Sequence, residues 1–239
     1  NNPTQRYLWR APLNSKKELP QRITPEGQSG WHTYQISPNG KYAHHTYSTA
    51  NVPPVTDLIS LPDHRVITSF IDHQSLRKKV AQLEVNPKEF LQITLPNGLS
   101  LEASMIKPPN FDPSKKYPVL FYVYGEPWGQ TVVDKWGGSR YLWHQMLAQQ
   151  GYIVMSIDNR GTPSPKGREW RKCVYGQIGA LSSEDQAAGL TALKERFSFI
   201  DGDRIGIWGW SGGGSMTLNM MFRYPKLYHT GMSIAPVPD

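Results

Sequence analysis

A serine stands between glycines in Gly209-Trp-Ser-Gly-Gly213. The spacing Gly-x-Ser-x-Gly is that of a nucleophile elbow, a sharp strand-to-helix turn that lifts a serine hydroxyl clear of a sheet. Such a turn holds the serine at strained backbone angles, and bulky neighbours two residues away would clash. Glycine on both sides removes the clash. The N–H of Gly212, at the start of the following helix, then faces the oxygen on which charge develops during acyl transfer. Ser211 is the candidate nucleophile and Gly212 the candidate backbone oxyanion donor. The competing reading is a glycine-rich turn with a bystander serine. It loses ground because the pentapeptide follows an apolar run, Arg204-Ile-Gly-Ile-Trp-Gly209, and precedes a helical pattern over 213–224.

A second donor is available in Val123-Tyr-Gly-Glu-Pro-Trp128, directly after another apolar run. A tyrosine hydroxyl serves an oxyanion as well as a backbone N–H does. By pattern alone, Tyr124 reads equally well as a packing residue at a strand end. The general base is harder to find. A serine hydroxyl is a poor nucleophile without one, and folds built around this elbow run in the order Ser, Asp, His. Of the seven histidines only His229 follows Ser211. It precedes a strand predicted over 230–235, so it falls at the end of the sheet away from the elbow. His144 falls in a predicted helix, and His32, His44, His45, His64 and His73 fall in the N-terminal region. His44 and His45 are adjacent strand residues and point to opposite faces, which weakens them as a metal pair. The triad Asp and His are expected outside this chain, and the 239 residues, which open on Asn-Asn-Pro-Thr, are expected to be a piece of a longer enzyme.

The surrounding elements must position these groups. With 38% hydrophobic residues, 8 Trp and 12 Tyr, the chain can build a sizeable core in one large domain or two smaller ones. The net charge of +7 is spread, with 10 Lys+Arg against 6 Asp+Glu over 1–84 and 16 against 13 thereafter. No basic block forms, which disfavours nucleic acid as a partner. The single Cys173 permits neither an internal disulfide nor a cysteine-based metal site. No apolar run approaches the length of a membrane span.

Residues 1–84 read as β throughout, with Ser37-Pro-Asn-Gly-Lys-Tyr42 as a turn between strands. Short strands at this spacing suggest a sandwich, barrel or propeller. From residue 85 the pattern changes. A hairpin turns on Pro96-Asn-Gly98. Continuous apolar strands follow over 118–124, 152–157 and 204–209, as in a buried parallel sheet. Helices are predicted over 141–150, from a capping box at Ser183-Glu-Asp-Gln186 to Phe197, and over 213–224. Alternating strand and helix predict a doubly wound, mostly parallel α/β sheet.

On these motifs the segment 115–239 resembles the catalytic domain of the prolyl oligopeptidase family, nearest its dipeptidyl peptidase IV branch. Lys115-Lys-Tyr-Pro with the strand to Val123-Tyr-Gly, Asp158-Asn-Arg-Gly161, Ser183-Glu-Asp-Gln, Gly209-Trp-Ser-Gly-Gly and Ala235-Pro-Val237 carry the resemblance. Residues 1–84 match more loosely, as the last strands of a β-propeller, leaving 85–239 as the N-terminal part of an α/β-hydrolase domain. The resemblance implies a serine exopeptidase that releases N-terminal dipeptides with Pro or Ala penultimate. Tripeptidyl or acylaminoacyl release, and a non-catalytic binding fragment, stand as alternatives. It implies Ser211 as the acylated residue, Tyr124 and Gly212 as oxyanion donors, and Val237 in the pocket for a proline-like residue. Asp158 shapes the site without joining the triad, and Asp239 comes one strand too early to be the triad acid. No cofactor or metal is implied. Peptides are the partners, homodimerisation is open, and a periplasmic or extracellular location follows from the resemblance alone. Two departures stand out. Gly212 replaces the family's usual Tyr, and Glu126 occupies a place where glycine is commoner. Glu126 is taken as a substrate-binding candidate, with two readings open: a carboxylate that bears on substrate choice, or one that faces solvent.

Overall fold

The computed structural model describes residues 2–14 and 18–237, so Asp239 lies outside it. The chain divides into two compact units: residues 1–84 with 133–141, and residues 85–132 with 142–239.

In the first unit β1 (Trp9–Arg10) and β2 (Gln21–Arg22) form an antiparallel pair. Strands β3 (Trp31–Ile36), β4 (Tyr42–Thr49), β5 (Val52–Ser60) and β6 (Val66–Ile71) form a four-stranded antiparallel sheet in sequence order. The predicted Pro-Asn-Gly turn joins β3 to β4. Gly40 adopts φ 68, and its N–H donates to the Ser37 carbonyl at 2.9 Å. Segment 133–141 is tied in by Asp134, whose carboxylate accepts from the Ala50 N–H at 2.8 Å and from the Gln5 amide at 2.9 Å. The all-β expectation for 1–84 fails at α1 (Gln74–Ala81), which buries no residue. Its Gln, Leu, Arg, Lys and Ala content is that of a helix former, and Leu76 and Val80, half-buried, stand at helical spacing.

Strand alternation turns His45 inward and leaves His44 outside. His45 stacks on His32 with ring centroids 5.1 Å apart, and its Nε2 lies 2.8 Å from His32 Nδ1. His32 Nε2 lies 3.1 Å from the Gln28 carbonyl, which can only accept. His32 therefore carries its proton on Nε2 and accepts from His45 Nε2–H, which leaves His45 Nδ1 bare and unpaired.

The second unit is built on a six-stranded sheet. Strands β7 (Glu89–Thr94) and β8 (Ser100–Ile106) form the predicted hairpin, with Gly98 at φ 80 in its turn. Then follow β9 (Tyr117–Tyr122), α2 (Gly138–Gln149), β10 (Ile153–Asp158), α3 (Gly167–Lys172), α4 (Ala180–Arg196), β11 (Ile200–Trp210), α5 (Gly212–Arg223) and β12 (Thr230–Ile234). The order is β12-β11-β9-β10-β8-β7, with β12, β11, β9 and β10 mutually parallel and the hairpin antiparallel. Val119, Phe121, Ile153, Met155, Ile157, Ile205 and Ile207 fill the core beneath the site, each at 1% exposure or less. Burial on both faces is why these strands read as unbroken apolar runs.

The expected capping box is not one. Helix α4 begins three residues earlier, after Gly179 at φ 87, and the Ser183 hydroxyl donates to the Ala180 carbonyl at 2.8 Å. Ser183, Asp185 and Gln186 are buried within the helix, where the last two serve tertiary contacts.

Candidate active site

β11 runs straight into α5 with Ser211 as the single joint. Ser211 adopts φ 55, ψ −120, a conformation that side chains rarely occupy and that costs on the order of 1–3 kcal/mol. Its N–H donates to the Ile234 carbonyl at 2.9 Å, and its own carbonyl accepts the Ser215 N–H at 3.0 Å. The predicted elbow is therefore present in geometry as well as in sequence.

The glycines are required by backbone, not by side chains. A methyl group on Gly213 would overlap the Val123 carbonyl oxygen and come within 3.3 Å of Tyr124 Cα. One on Gly209 would lie 2.6 Å from the same oxygen. One on Gly214 would lie 2.7 Å from the Ile234 carbonyl oxygen. Close backbone approach thus presses the elbow against the end of β9 and the loop after it, where Tyr124 begins the expected second donor. The Val123 N–H is fixed in turn by the Trp208 carbonyl at 3.0 Å. Gly125, at φ 79, sits over Met216 of α5.

Gly212 is buried and opens α5. The free N–H groups of a helix's first turn make this a place for developing negative charge. Tyr124 is half-buried beside it, and its ring lies 3.0 Å from where a methyl on Gly129 would be. Burial, then the neighbouring Glu126 carboxylate, push the Tyr124 phenol up. It is therefore a proton-bearing donor at neutral pH, as an oxyanion contact requires.

Glu126 reaches over Gly212. A methyl on Gly212 would overlap its Cδ and Oε2 and lie 2.7 Å from its Oε1. That carboxylate is the end of a flexible side chain, so the contact marks where it lies and does not by itself require glycine at 212. Burial pushes the Glu126 carboxyl up. Val237 is 61% exposed. Its N–H donates to the Ser215 hydroxyl at 2.9 Å, and that hydroxyl donates to the Val237 carbonyl at 3.0 Å. The Ala235-Pro-Val segment is thereby held at the start of α5, on the nucleophile's helix.

Residues that the motif reading left without contacts brace the loop after β9 from behind. Asp158, at the end of β10, is fully buried and accepts from the Thr131 N–H (2.9 Å), the Thr131 hydroxyl (3.0 Å) and the Val132 N–H (3.2 Å). Burial pushes its carboxyl up, while these donors pull it down. The Asn159 amide donates to the Gly125 carbonyl at 3.0 Å, and its own oxygen accepts from Gln186 at 3.0 Å. Arg160 forms a bidentate pair with buried Asp185, at 2.7 Å from Nη2 and 3.0 Å from Nε. Asp-Asn-Arg and Asp-Gln are both visible in the sequence, but nothing in their spacing says that they face each other. His144 packs at tilted and edge-on angles among Tyr122, Trp143 and Trp208. His229 donates its N–H to the Ile205 carbonyl where β11 begins its run toward the elbow. Neither is placed by any observed contact at Ser211. Among the described residues no group of three or more His, Cys, Asp or Glu could hold a metal ion, and no helix is long and apolar enough to cross a membrane.

A strained serine between a parallel strand and a helix, set against the loop after β9, defines a hydrolase-type α/β domain with the geometry of a nucleophile elbow. Residues 124–239 match the model of the prolyl oligopeptidase family. It is 34% identical to a protein named "Probable dipeptidyl-aminopeptidase B" from Emericella nidulans, over 99% of this chain and 26% of that protein. It is 32% identical to dipeptidyl peptidase 4 of Trichophyton equinum, over 99% and 30%. The crystal structure of Porphyromonas gingivalis dipeptidyl peptidase 4 superposes with a TM-score of 0.89 at 35% identity, over 99% of this chain and 32% of that one. The fold is accordingly that of an α/β-hydrolase preceded by β-propeller strands. The chain spans between a quarter and a third of the length of these relatives.

Proposed function

We propose that this chain is the nucleophile-bearing part of a serine peptidase that releases N-terminal dipeptides from peptides with Pro or Ala penultimate. The observation that carries the reading is Ser211 at φ 55, ψ −120 between β11 and α5, a strain without structural use unless the hydroxyl must be presented. Ser211 attacks the carbonyl of the penultimate residue. The oxygen moves into the reach of the Gly212 N–H and the Tyr124 hydroxyl, the leaving amine departs with a proton, and water releases the dipeptide from the ester. Val237 and Glu126 border the acyl pocket. We assign residues 1–84 to the end of a propeller and 85–239 to the start of the hydrolase domain. We place the triad Asp and His in further chain, and the whole protein in the periplasm or outside the cell, where it can form a homodimer.

The test is hydrolysis of Xaa-Pro and Xaa-Ala anilides by the full-length protein. Turnover that Ser211→Ala abolishes supports the reading, and turnover that survives Ser211→Ala overturns it. The 239 residues alone are expected to be inert, because this reading places the base for the serine in further chain.

A further inference from the structure

The loop that carries Tyr124 is held from behind by two side-chain amides in series. The Asn159 nitrogen donates to the Gly125 carbonyl at 3.0 Å and to the Arg160 carbonyl at 2.7 Å. The Asn159 oxygen accepts from Gln186 Nε2 at 3.0 Å, and the same Gln186 nitrogen donates to the Ile157 carbonyl at 2.7 Å. A backbone carbonyl can only accept, so the bonds run in one direction. The Ile157 carbonyl fixes which end of Gln186 faces β10. Gln186 in turn faces the Asn159 oxygen, which leaves the Asn159 nitrogen for Gly125.

The residues on either side stiffen this pair. Asp185, next to Gln186, accepts from the Arg160 N–H at 2.9 Å and from its guanidinium at 2.7 Å. The Thr162 hydroxyl donates to the Asn159 carbonyl at 3.0 Å. Asn159 and Gln186 are at 1% exposure or less and lie inside one compact unit. The two amides are therefore closed off by residues of this chain, and no further chain is needed to complete their bonding.

Their grip falls next to Tyr124. Gly125 follows Tyr124 directly and adopts φ 79. On the other side, the Val123 N–H donates to the Trp208 carbonyl at 3.0 Å. Tyr124 thus stands between two anchored residues, one tied to β11 and one to Asn159. Asp158 holds the far end of the same loop at Thr131 and Val132, and Asn159 holds the near end. A tyrosine hydroxyl sits about 6.5 Å from its Cα, so a backbone swing of about 10° displaces it by about 1 Å. A misplacement of that size lowers a rate by about 100-fold.

We propose that Asn159, oriented by Gln186, is the positioning residue for the Tyr124 hydroxyl and affects acylation through that hydroxyl. This rests on Tyr124 as an oxyanion donor to the carbonyl attacked by Ser211. Asn159 is buried behind the loop; it sets where the donor stands, and Gln186 sets which end of Asn159 faces the loop.

The test is a double-mutant cycle in the full-length protein, read as kcat and KM for Ala-Pro anilide with Tm alongside. Tyr124→Phe removes the hydroxyl and is expected to lower kcat/KM by about 100-fold or more. Asn159→Ala is expected to lower it by about 10- to 100-fold, in kcat and not in KM. In the Tyr124→Phe background the same Asn159→Ala change should cost less than about threefold, because the group it positions is gone. Gln186→Met keeps the length of the side chain without its donor, and should show the same dependence on Tyr124 with a smaller loss. A purely structural role would lower both backgrounds by one factor. That result, or Asn159→Ala at the wild-type rate, overturns the inference and leaves the peptidase reading standing. An unchanged rate in Tyr124→Phe removes Tyr124 from the oxyanion site and overturns the inference, while the Ser211→Ala comparison still decides the peptidase reading. No cleavage by the wild-type protein overturns both. If neither Asn159→Ala nor Gln186→Met folds, the pair is a requirement of the core and the inference falls.

Discussion

Gly213→Ala is the sharpest perturbation of the elbow. The added methyl would overlap the Val123 carbonyl oxygen and stand 3.2 Å from its carbon and 3.3 Å from Tyr124 Cα. None of these is the end of a flexible side chain, so relief requires the backbone of α5 or of 123–124 to shift by roughly an ångström, since unstrained carbon contacts lie near 3.5–4.0 Å. Overpacking of this kind costs about 1–3 kcal/mol. Alanine recovers about 1 kcal/mol over glycine in a helix, so the net loss runs from near zero to about 2 kcal/mol. For a folded unit of this size that lowers Tm by up to about 8 °C. The effect on chemistry is larger. A displacement of about 1 Å between nucleophile and oxyanion donors lowers the rate by about 100-fold. The assay is the second-order rate of Ser211 modification by a fluorophosphonate probe in the full-length protein, with Tm measured alongside. Gly202→Ala is the control, because its methyl meets only the mobile end of Lys194 at 3.0 Å and should change neither quantity measurably. A Gly213→Ala protein labelled within threefold of wild type, at unchanged Tm, would refute the argument that backbone contact between elbow and loop positions the serine.

Strain at Ser211 predicts that Ser211→Gly is more stable than Ser211→Ala by about 1 kcal/mol, because glycine adopts φ 55 freely; chemical denaturation of both inactive variants reads the difference, and equal midpoints would contradict it. The histidine stack predicts acid sensitivity of the first unit. Burial foremost pushes His32 down to about 4 and His45 to about 3, whereas the unfolded chain binds these protons near the ordinary histidine value of about 6.5. The unfolded state therefore holds more protons between those limits. Stability is complete above about pH 6.5 and falls as pH drops, by at most about 1.4 kcal/mol per pH unit for each ring. Urea unfolding followed from pH 7.5 to 4.5 measures this slope. His45→Phe should flatten it, and a wild-type slope of zero would remove the stack as its source.

The elbow was legible in the sequence because its requirements are local. Glycines at 209 and 213, an apolar run before them and a helical pattern after them are all set by residues within a dozen positions of Ser211. The parallel strands were legible for a related reason: burial on both faces leaves no room for polar residues, so β9, β10 and the latter part of β11 announce themselves. Helix α1 was not, since eight residues with only Leu76 and Val80 at helical spacing make a pattern too short to stand out among the strands around it. The start of α4 was misplaced because Ser183-Glu-Asp-Gln186 has the composition of a cap, yet Ser183 bonds back into the helix and Asp185 and Gln186 are spent on partners distant in the chain. Arg160 lies 25 positions from Asp185, and Asn159 lies 27 from Gln186 and 34 from Gly125. Sequence alone also left Glu126 between two readings. Its place is decided by β9 and β11 lying side by side, which brings the loop after Val123 onto the first turn of α5 and turns a carboxylate 86 positions away into the neighbour of Gly212. Local spacing fixes which residue is presented for chemistry. Only the packing of strands remote in sequence fixes what charge stands beside it.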